Sequence, residues 1–206
     1  MDRLTLGLLS DTHVPDRAPD LRPQVLAALQ GVDRILHAGD ISSPCVVEKL
    51  ERIAPVVAVR GNNRGDGSRF QPSLPRRRVV QAAGWRFGMH HGIDTLPQRL
   101  MDWVVGNLGG KAACARYIMD RVDRWFEPGE VDAVLYGHAH WPLIEARNGV
   151  LYLNPGQSFG SRESSLMILD ITENRLHVRL VPLGIEGRLR QFRPQELVWL
   201  RPGGEA

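Results

Sequence analysis

Seven side chains in this sequence have the right chemistry to hold metal ions: Asp11, His13, Asp40, Asn62, His91, His138 and His140. They fall in five short sets, Asp11-Thr12-His13, Gly39-Asp40, Gly61-Asn62, His90-His91-Gly92 and Gly137-His138-Ala139-His140. Carboxylate, carboxamide and imidazole without thiolate form an oxygen–nitrogen donor set, which suits Mn²⁺, Fe²⁺, Zn²⁺ or Ni²⁺ rather than an iron–sulfur cluster. Seven donors exceed what one ion can use beside a substrate, but they serve two ions that share a bridging carboxylate. Two ions about 3.5–4 Å apart clamp an in-line displacement at phosphorus. One makes a hydroxide available near neutral pH, and both neutralise charge on the phosphoryl oxygens.

Taken singly, the pieces are weak. Asp-x-His also reads as a helix cap followed by a surface histidine, and Gly-Asp is a common turn. Gly-His-x-His carries more, because alternate positions of an extended segment place both imidazoles on one side. The weight lies in the occurrence of all five pieces, each where a strand stops.

The elements that must position them follow from the apolar pattern. Residues 3–9 read as a buried strand ending in Ser10-Asp11-Thr12-His13. Leu21 to Gln30 reads as a helix closed by Gly31, and Asp33 to His37 as a second buried strand running into Ala38-Gly39-Asp40. Ser43 is expected to cap a helix with Pro44 in its first turn, reaching about Ile53. Val56 to Val59 then forms a third strand ending at Arg60-Gly61-Asn62. Strand–helix–strand alternation with short connections indicates a parallel α/β sheet, and such sheets gather ligands at the carboxyl ends of their strands. Glycines beside the donors allow backbone to pass close to a bound group.

The second half changes character. Arg78–Ala82 and Trp85–His90 flank Ala83-Gly84 as a hairpin. Helical stretches follow over about 95–108 and 112–126, separated by Gly109-Gly110, and strands return at 131–136, 142–147, 150–153, 164–171 and 175–182. From Gly184 onward the pattern reads as irregular edge structure. No linker divides the chain, so the expectation is a single domain over 1–206 with a helical insertion at about 95–126, built as two packed β-sheets with helices outside.

The order D-T-H, G-D, G-N, H-G and G-H-A-H resembles the calcineurin-like metallophosphoesterase superfamily. It is most similar to the small single-domain bacterial and archaeal phosphodiesterases, which also resemble the retromer scaffold subunit. The resemblance spans residue 5 to about residue 162, including Asn154-Pro155-Gly156, and implies a four-layer α/β/β/α sandwich of mixed sheets. It implies one ion held by Asp11, His13 and His140, a second by Asn62, His91 and His138, and Asp40 bridging them, with Asp40, His91 and His138 as catalytic residues. The family pattern places the ligand directly before the glycine, which selects His91 over His90; His90 should face the other way. His37 resembles a position often occupied by histidine in the family, and reads as a core or supporting residue before it reads as a ligand. The implied activity is metal-dependent hydrolysis of small phosphate esters, a nucleotide among the candidates, by a metal-activated hydroxide, with manganese the first choice of ion.

The sequence departs from the pattern after Gly61-Asn62. Larger relatives continue with a histidine that assists the leaving group, and small relatives usually show Cys-Asp; this chain has Asn63-Arg64. Asn63 and Arg64 are candidate substrate contacts, although Arg64 also reads as a surface arginine paired with Asp66. The helical insertion offers Trp103, Val104, Leu108, Tyr117, Ile118, Val122 and Phe126 as apolar faces, for packing on the sheet first, and otherwise for a lid or a homo-oligomer contact.

Composition bounds the alternatives. A 206-residue chain with 43% hydrophobic and 24% charged residues needs neither disulfides nor a structural metal to fold. Cys45 and Cys114 have no C-x-x-C partner and read as small apolar residues. Leu4 to Leu9 is too short to span a membrane and lacks the flanks of a secretory signal, so cytoplasmic residence and no membrane partner are expected. The net charge of +3 is carried almost wholly by arginine, yet no nucleic-acid-binding motif appears, and Arg76-Arg77-Arg78 reads as a solvated strand edge. Two other readings remain beside the diesterase: a phosphomonoesterase or nucleotide phosphatase, and a non-catalytic scaffold of the same fold.

Overall fold

The computed structural model of the chain describes residues 3–62, 73–92, 96–160, 163–184 and 196–201. Its first half alternates strands and short helices: β1 (Leu4–Leu9), α1 (Pro23–Ala28), β2 (Arg34–His37), α2 (Pro44–Glu51) and β3 (Val56–Ala58). The hairpin β4 (Arg77–Ala82) and β5 (Trp85–His90) follows, then a long helix α3 (Leu96–Val122) and a 3₁₀ turn over Asp123–Trp125. The chain finishes through β6 (Ala133–Leu135), β7 (Pro142–Arg147), β8 (Val150–Pro155), β9 (Ser165–Ile171), β10 (Arg175–Pro182) and β11 (Glu196–Leu200).

These strands make two mixed sheets. The larger has the order β11-β10-β9-β1-β2-β3, and the smaller β4-β5-β6-β8-β7. Strands β1, β2 and β3 run parallel in one sheet, as do β5, β6 and β8 in the other. The alternation of side chains along each strand sets the layers. Leu6 and Leu8 of β1, Leu36 of β2, Phe87 and Met89 of β5, and Leu135 of β6 point into the core between the sheets. Leu9 and Ile35 point the other way, onto Val25 and Leu29 near α1 and Val46 and Leu50 of α2. Val134 and Tyr152 face outward on the second sheet, where Ile118, Met119 and Val122 of α3 cover them. Helix, sheet, sheet, helix is the four-layer sandwich expected. Strands buried on both faces read as continuous apolar runs, as β1 does.

Several boundaries differ from the sequence reading. α1 starts at Pro23, where the missing N–H of proline is tolerated in a first turn, and stops at Ala28. Ser43 has the extended backbone of an N-cap, but its side chain makes no capping hydrogen bond; Pro44 alone marks that start. The helical stretch Leu96–Val122 is two helical arms broken at Gly110, whose φ of 79° and ψ of 175° are non-helical, as the Gly109-Gly110 separation implied, and it gives way to the 3₁₀ turn after Val122. The chain after Gly184 is not wholly irregular: Glu196–Leu200 is the edge strand β11, whose Leu197 and Trp199 pack toward the inter-sheet core. Arg77 on the edge strand β4 is not simply solvated, since it pairs with Glu130 and lies over the Phe126 ring. Cys45 is half-buried and Cys114 buried, both free. No helix among the described residues is long and apolar enough to cross a membrane.

Candidate metal centre

Every expected ligand set follows the carboxyl end of a parallel strand. Asp11 and His13 follow β1, Asp40 follows β2 and Asn62 follows β3; His91 follows β5, and His138 and His140 follow β6. Parallel register brings Leu9 beside His37 and Met89 beside Leu135, so the turns begin at matched heights. The turns are then tied together: Asp11 N–H donates to the Gly39 carbonyl at 3.0 Å, His13 N–H to Asp40 at 3.2 Å, and Gly137 N–H to His91 at 3.3 Å.

All seven side chains converge. His13 Nε2 lies 3.2 Å from His140 Nε2, and His140 Nε2 lies 3.2 Å from Asp11 Oδ1. On the other side, Asn62 Oδ1 is 3.0 Å from His91 Nε2 and 3.1 Å from His138 Nδ1. Asp40 Oδ2 stands between, 3.4 Å from both His13 Nε2 and His91 Nε2. The donor atoms of Asp11, His13 and His140, and those of Asp11, Asp40 and His91, form two overlapping groups that could each hold an ion. Asp11 therefore joins Asp40 as a carboxylate common to both sides, a sharing that the ligand motifs do not reveal.

Backbone and packing hold the donors there. Asp11, His13, Asp40, His138 and His140 have φ between 47° and 70°, the left-handed region that non-glycine residues seldom occupy and that clusters at functional sites. A Cβ on Gly61 would lie 2.0 Å from Asp40 Oδ1, and one on Gly137 would lie 2.0 Å from Ser10 Oγ. Both turns approach the donors closely only because these residues are glycine. Asn154, in the Asn154-Pro155-Gly156 turn, donates to the Gly137 carbonyl at 3.0 Å and accepts from Gly156 N–H at 2.9 Å, bracing the turn that carries His138.

Burial and charge give the site its metal-binding character. Asp11, His13, Asp40 and His91 are buried, whereas His138, His140 and Asn62 are partly exposed and form the open side. Burial alone would raise the Asp11 carboxyl, but the imidazoles of His140 and His91 outweigh it and hold the pKa well below the carboxylate range. Burial likewise opposes ionisation of Asp40, and His91 overrides it, pulling that carboxyl down. His91 in turn resists burial and is raised to about 9 by Asp40 and Asp11. Asp11 Oδ1 is buried and accepts no hydrogen bond. Two ionised carboxylates under imidazoles, with a buried oxygen lacking a donor, are arranged for cations, and divalent ions fit this donor set.

His37 and His90 stand outside it. His37 is buried and its Nδ1 accepts from Gly39 N–H at 3.2 Å, while its Nε2 lies 3.2 Å from Thr12 Oγ1. Desolvation lowers its pKa to about 3, so it stays neutral and braces the two ligand turns. His90 faces away from the donors and stacks on Trp125 at 4.3 Å between ring centroids. Asn63 and Arg64 lie outside the described residues.

One contact escaped the sequence. Asp102, buried on α3, places Oδ2 3.4 Å from His138 Nε2 and is ion-paired with Arg121 at 2.8 Å. Its only signal was an acid inside the apolar stretch Leu100-Met101-Asp102-Trp103-Val104.

Comparison with known proteins agrees with this geometry. The calcineurin-like phosphoesterase superfamily domain matches residues 4–174. A probable metallophosphoesterase of Methanothermobacter thermautotrophicus is 32% identical over 183 residues, covering 88% of this chain and 94% of the relative. A phosphodiesterase of Methanocaldococcus jannaschii is 24% identical over 168 residues, covering 76% of this chain and 86% of the relative. Among solved structures, Vps29 of Chaetomium thermophilum superposes with a TM-score of 0.67 at 18% identity, covering 97% of this chain and 96% of that one, a likeness of fold. The two clusters of histidine and aspartate are consistent with a binuclear divalent-metal site and with metal-dependent phosphoester hydrolysis.

Proposed function

The chain belongs to the calcineurin-like phosphoesterase superfamily, and we propose that within it this protein is a metal-dependent phosphodiesterase acting on small phosphate esters. The observation that carries the reading is the position of Asp40, whose Oδ2 is 3.4 Å from an imidazole nitrogen on each side of the site. We assign one ion to Asp11, His13 and His140, the other to Asn62, His91 and His138, and the bridge to Asp40, with Mn²⁺ as the working ion. When bound, such a pair lowers the pKa of water and neutralises charge on phosphoryl oxygens.

The chain's own residues prepare the rest. Asp40 is fixed by Asn62 N–H, which donates to its Oδ1 at 2.8 Å, so the other oxygen faces the two histidines. His91 donates from Nδ1 to the Ala38 carbonyl at 2.8 Å, which turns Nε2 toward the centre. Ser10 Oγ donates to Asp11 Oδ2 at 2.7 Å and His138 N–H donates to the same oxygen at 3.0 Å, leaving Oδ1 directed inward. Substrate enters on the partly exposed side formed by His138 and His140.

Support for a diester rather than a monoester comes from Asn63, which cannot deliver a proton to a leaving group, and from the likeness to a named phosphodiesterase. The test is a comparison of kcat/KM for bis(p-nitrophenyl) phosphate and p-nitrophenyl phosphate with added Mn²⁺. The diester should be turned over faster. A clear preference for the monoester would replace this reading with a phosphatase.

A further inference from the structure

We infer that Asp102 of the helical insertion is a positioning residue for the metal centre: it fixes the tautomer of His138 so that Nδ1 is the nitrogen offered to an ion. The inference rests on the binuclear reading above but concerns a residue outside the ligand motifs. His138 has two distinct neighbours. Its Nδ1 lies 3.1 Å from Asn62 Oδ1, inside the donor cluster, and its Nε2 lies 3.4 Å from Asp102 Oδ2, away from it. Both neighbours are acceptors, the Asn62 amide oxygen and the Asp102 carboxylate, and only the carboxylate is charged, so the proton of a neutral ring is drawn to Nε2 and Nδ1 is left for the centre. His91 is arranged in the opposite sense, since its Nδ1 donates to Ala38 and its Nε2 faces inward. The two imidazoles on this side of the site thus use different nitrogens, each selected by a protein acceptor.

Asp102 is itself held. Arg121, from the other arm of the kinked helix, pairs with it at 2.8 Å and also donates to the Gly92 carbonyl at 2.9 Å. One pair therefore links the insertion to both turns that carry His91 and His138. A buried ion pair adds little net stability compared with apolar side chains of similar size. Helix anchoring alone would be served as well by two leucines, whereas orienting an imidazole needs an acceptor. Groups that orient a ligating histidine typically contribute 10–100-fold to metal affinity.

The experiment uses the full chain in metal-free and loaded forms. Long-range ¹H–¹⁵N correlation spectra of the metal-free wild type near neutral pH should show His138 protonated at Nε2. In Asp102→Asn, and in the double variant Asp102→Leu/Arg121→Met, which leaves no unpaired buried charge, this tautomer should cease to be the single form. Mn²⁺ calorimetry should show one site weakened roughly 10–100-fold and the other within about twofold. A purely structural role would lower thermal stability without moving the tautomer or separating the two sites. Wild-type His138 protonated at Nδ1, or variants with unchanged tautomer and affinities, would overturn the inference. Wild type that binds a single ion while His138 keeps its Nε2 proton would instead remove the binuclear reading and leave the Asp102 contact standing.

Discussion

The Nε2 atoms of His13 and His140 stand 3.2 Å apart although the residues are 127 positions apart in the chain. Imidazole lone pairs aimed at one point repel unless a proton or a cation lies between them. In the metal-free protein a proton on one ring makes this contact a hydrogen bond, and an ion bound by both nitrogens would take that proton's place.

The first prediction follows directly. The purified protein should take up two Mn²⁺ ions per chain by elemental analysis. At a hundredfold excess over Kd each ion should add ~2.7 kcal/mol, raising Tm by roughly 5–10 °C. One ion at saturating metal would contradict the assignment of Asp40 as a bridge.

Asp40→Asn should reduce kcat/KM more than His13→Ala. Asp40 Oδ2 faces both His13 and His91, and the amide removes a charge that two neighbouring dications require. Rates at matched metal occupancy decide it, and equal modest losses would move the bridging role to Asp11.

The His91 pKa of about 9 in the metal-free protein gives a pH signature. Because the folded value lies above the unfolded one, the stabilising contribution of protonated His91 is complete below about pH 6.5 and is lost as pH rises through 9. Metal-free wild type should lose Tm across that window more than His91→Gln does. Metal binding must displace the same proton, so Mn²⁺ affinity should climb with pH and level off near 9. Calorimetry across this range, in buffers of different ionisation enthalpy, should detect the released proton.

Gly61→Ala should destabilise the protein by ~1–3 kcal/mol and weaken metal binding. The new Cβ would lie 2.3 Å from the Asp40 backbone nitrogen, and backbone cannot swing aside as a side-chain tip can. Urea denaturation and metal titration report the two effects separately.

Asn63→His should improve alkyl substrates more than aryl ones. Expelling an alkoxide benefits from a general acid by about 10²–10⁴-fold, and asparagine can donate a hydrogen bond but cannot transfer its proton. The readout is the ratio of kcat/KM for an alkyl monoester and an aryl diester in both proteins. Wild type handling both equally well would mean that another group supplies the proton.

Much of the centre was legible because each donor sits at a sequence landmark. A buried strand is an apolar run, and the polar set where it stops is visible without coordinates, as at Leu9 to Asp11 or Leu135 to His138. Asp102 was not legible, since its contact with His138 arises only when the kink at Gly110 folds two helical arms over the second sheet. The insertion shows the same limit. Periodicity marked Trp103 and Ile118 alike as apolar-face residues, yet Ile118 is buried and Trp103 is 65% exposed. Repeat spacing says which residues share a face, but not whether anything covers it. The edge strand Glu196–Leu200 was missed because pairing with β10, rather than local pattern, stabilises it.

The division of donors between the sheets has a mechanical consequence. Asp11, His13, Asp40 and Asn62 come from turns of the larger sheet, and His91, His138 and His140 from turns of the smaller. Ions held by both groups would rivet one sheet to the other along a single rim of the sandwich, joining segments remote in the chain much as a covalent cross-link does. Among the described residues no second group of metal donors joins the sheets elsewhere, so loss of metal should loosen the sandwich from one side, like a book opening at its fore-edge.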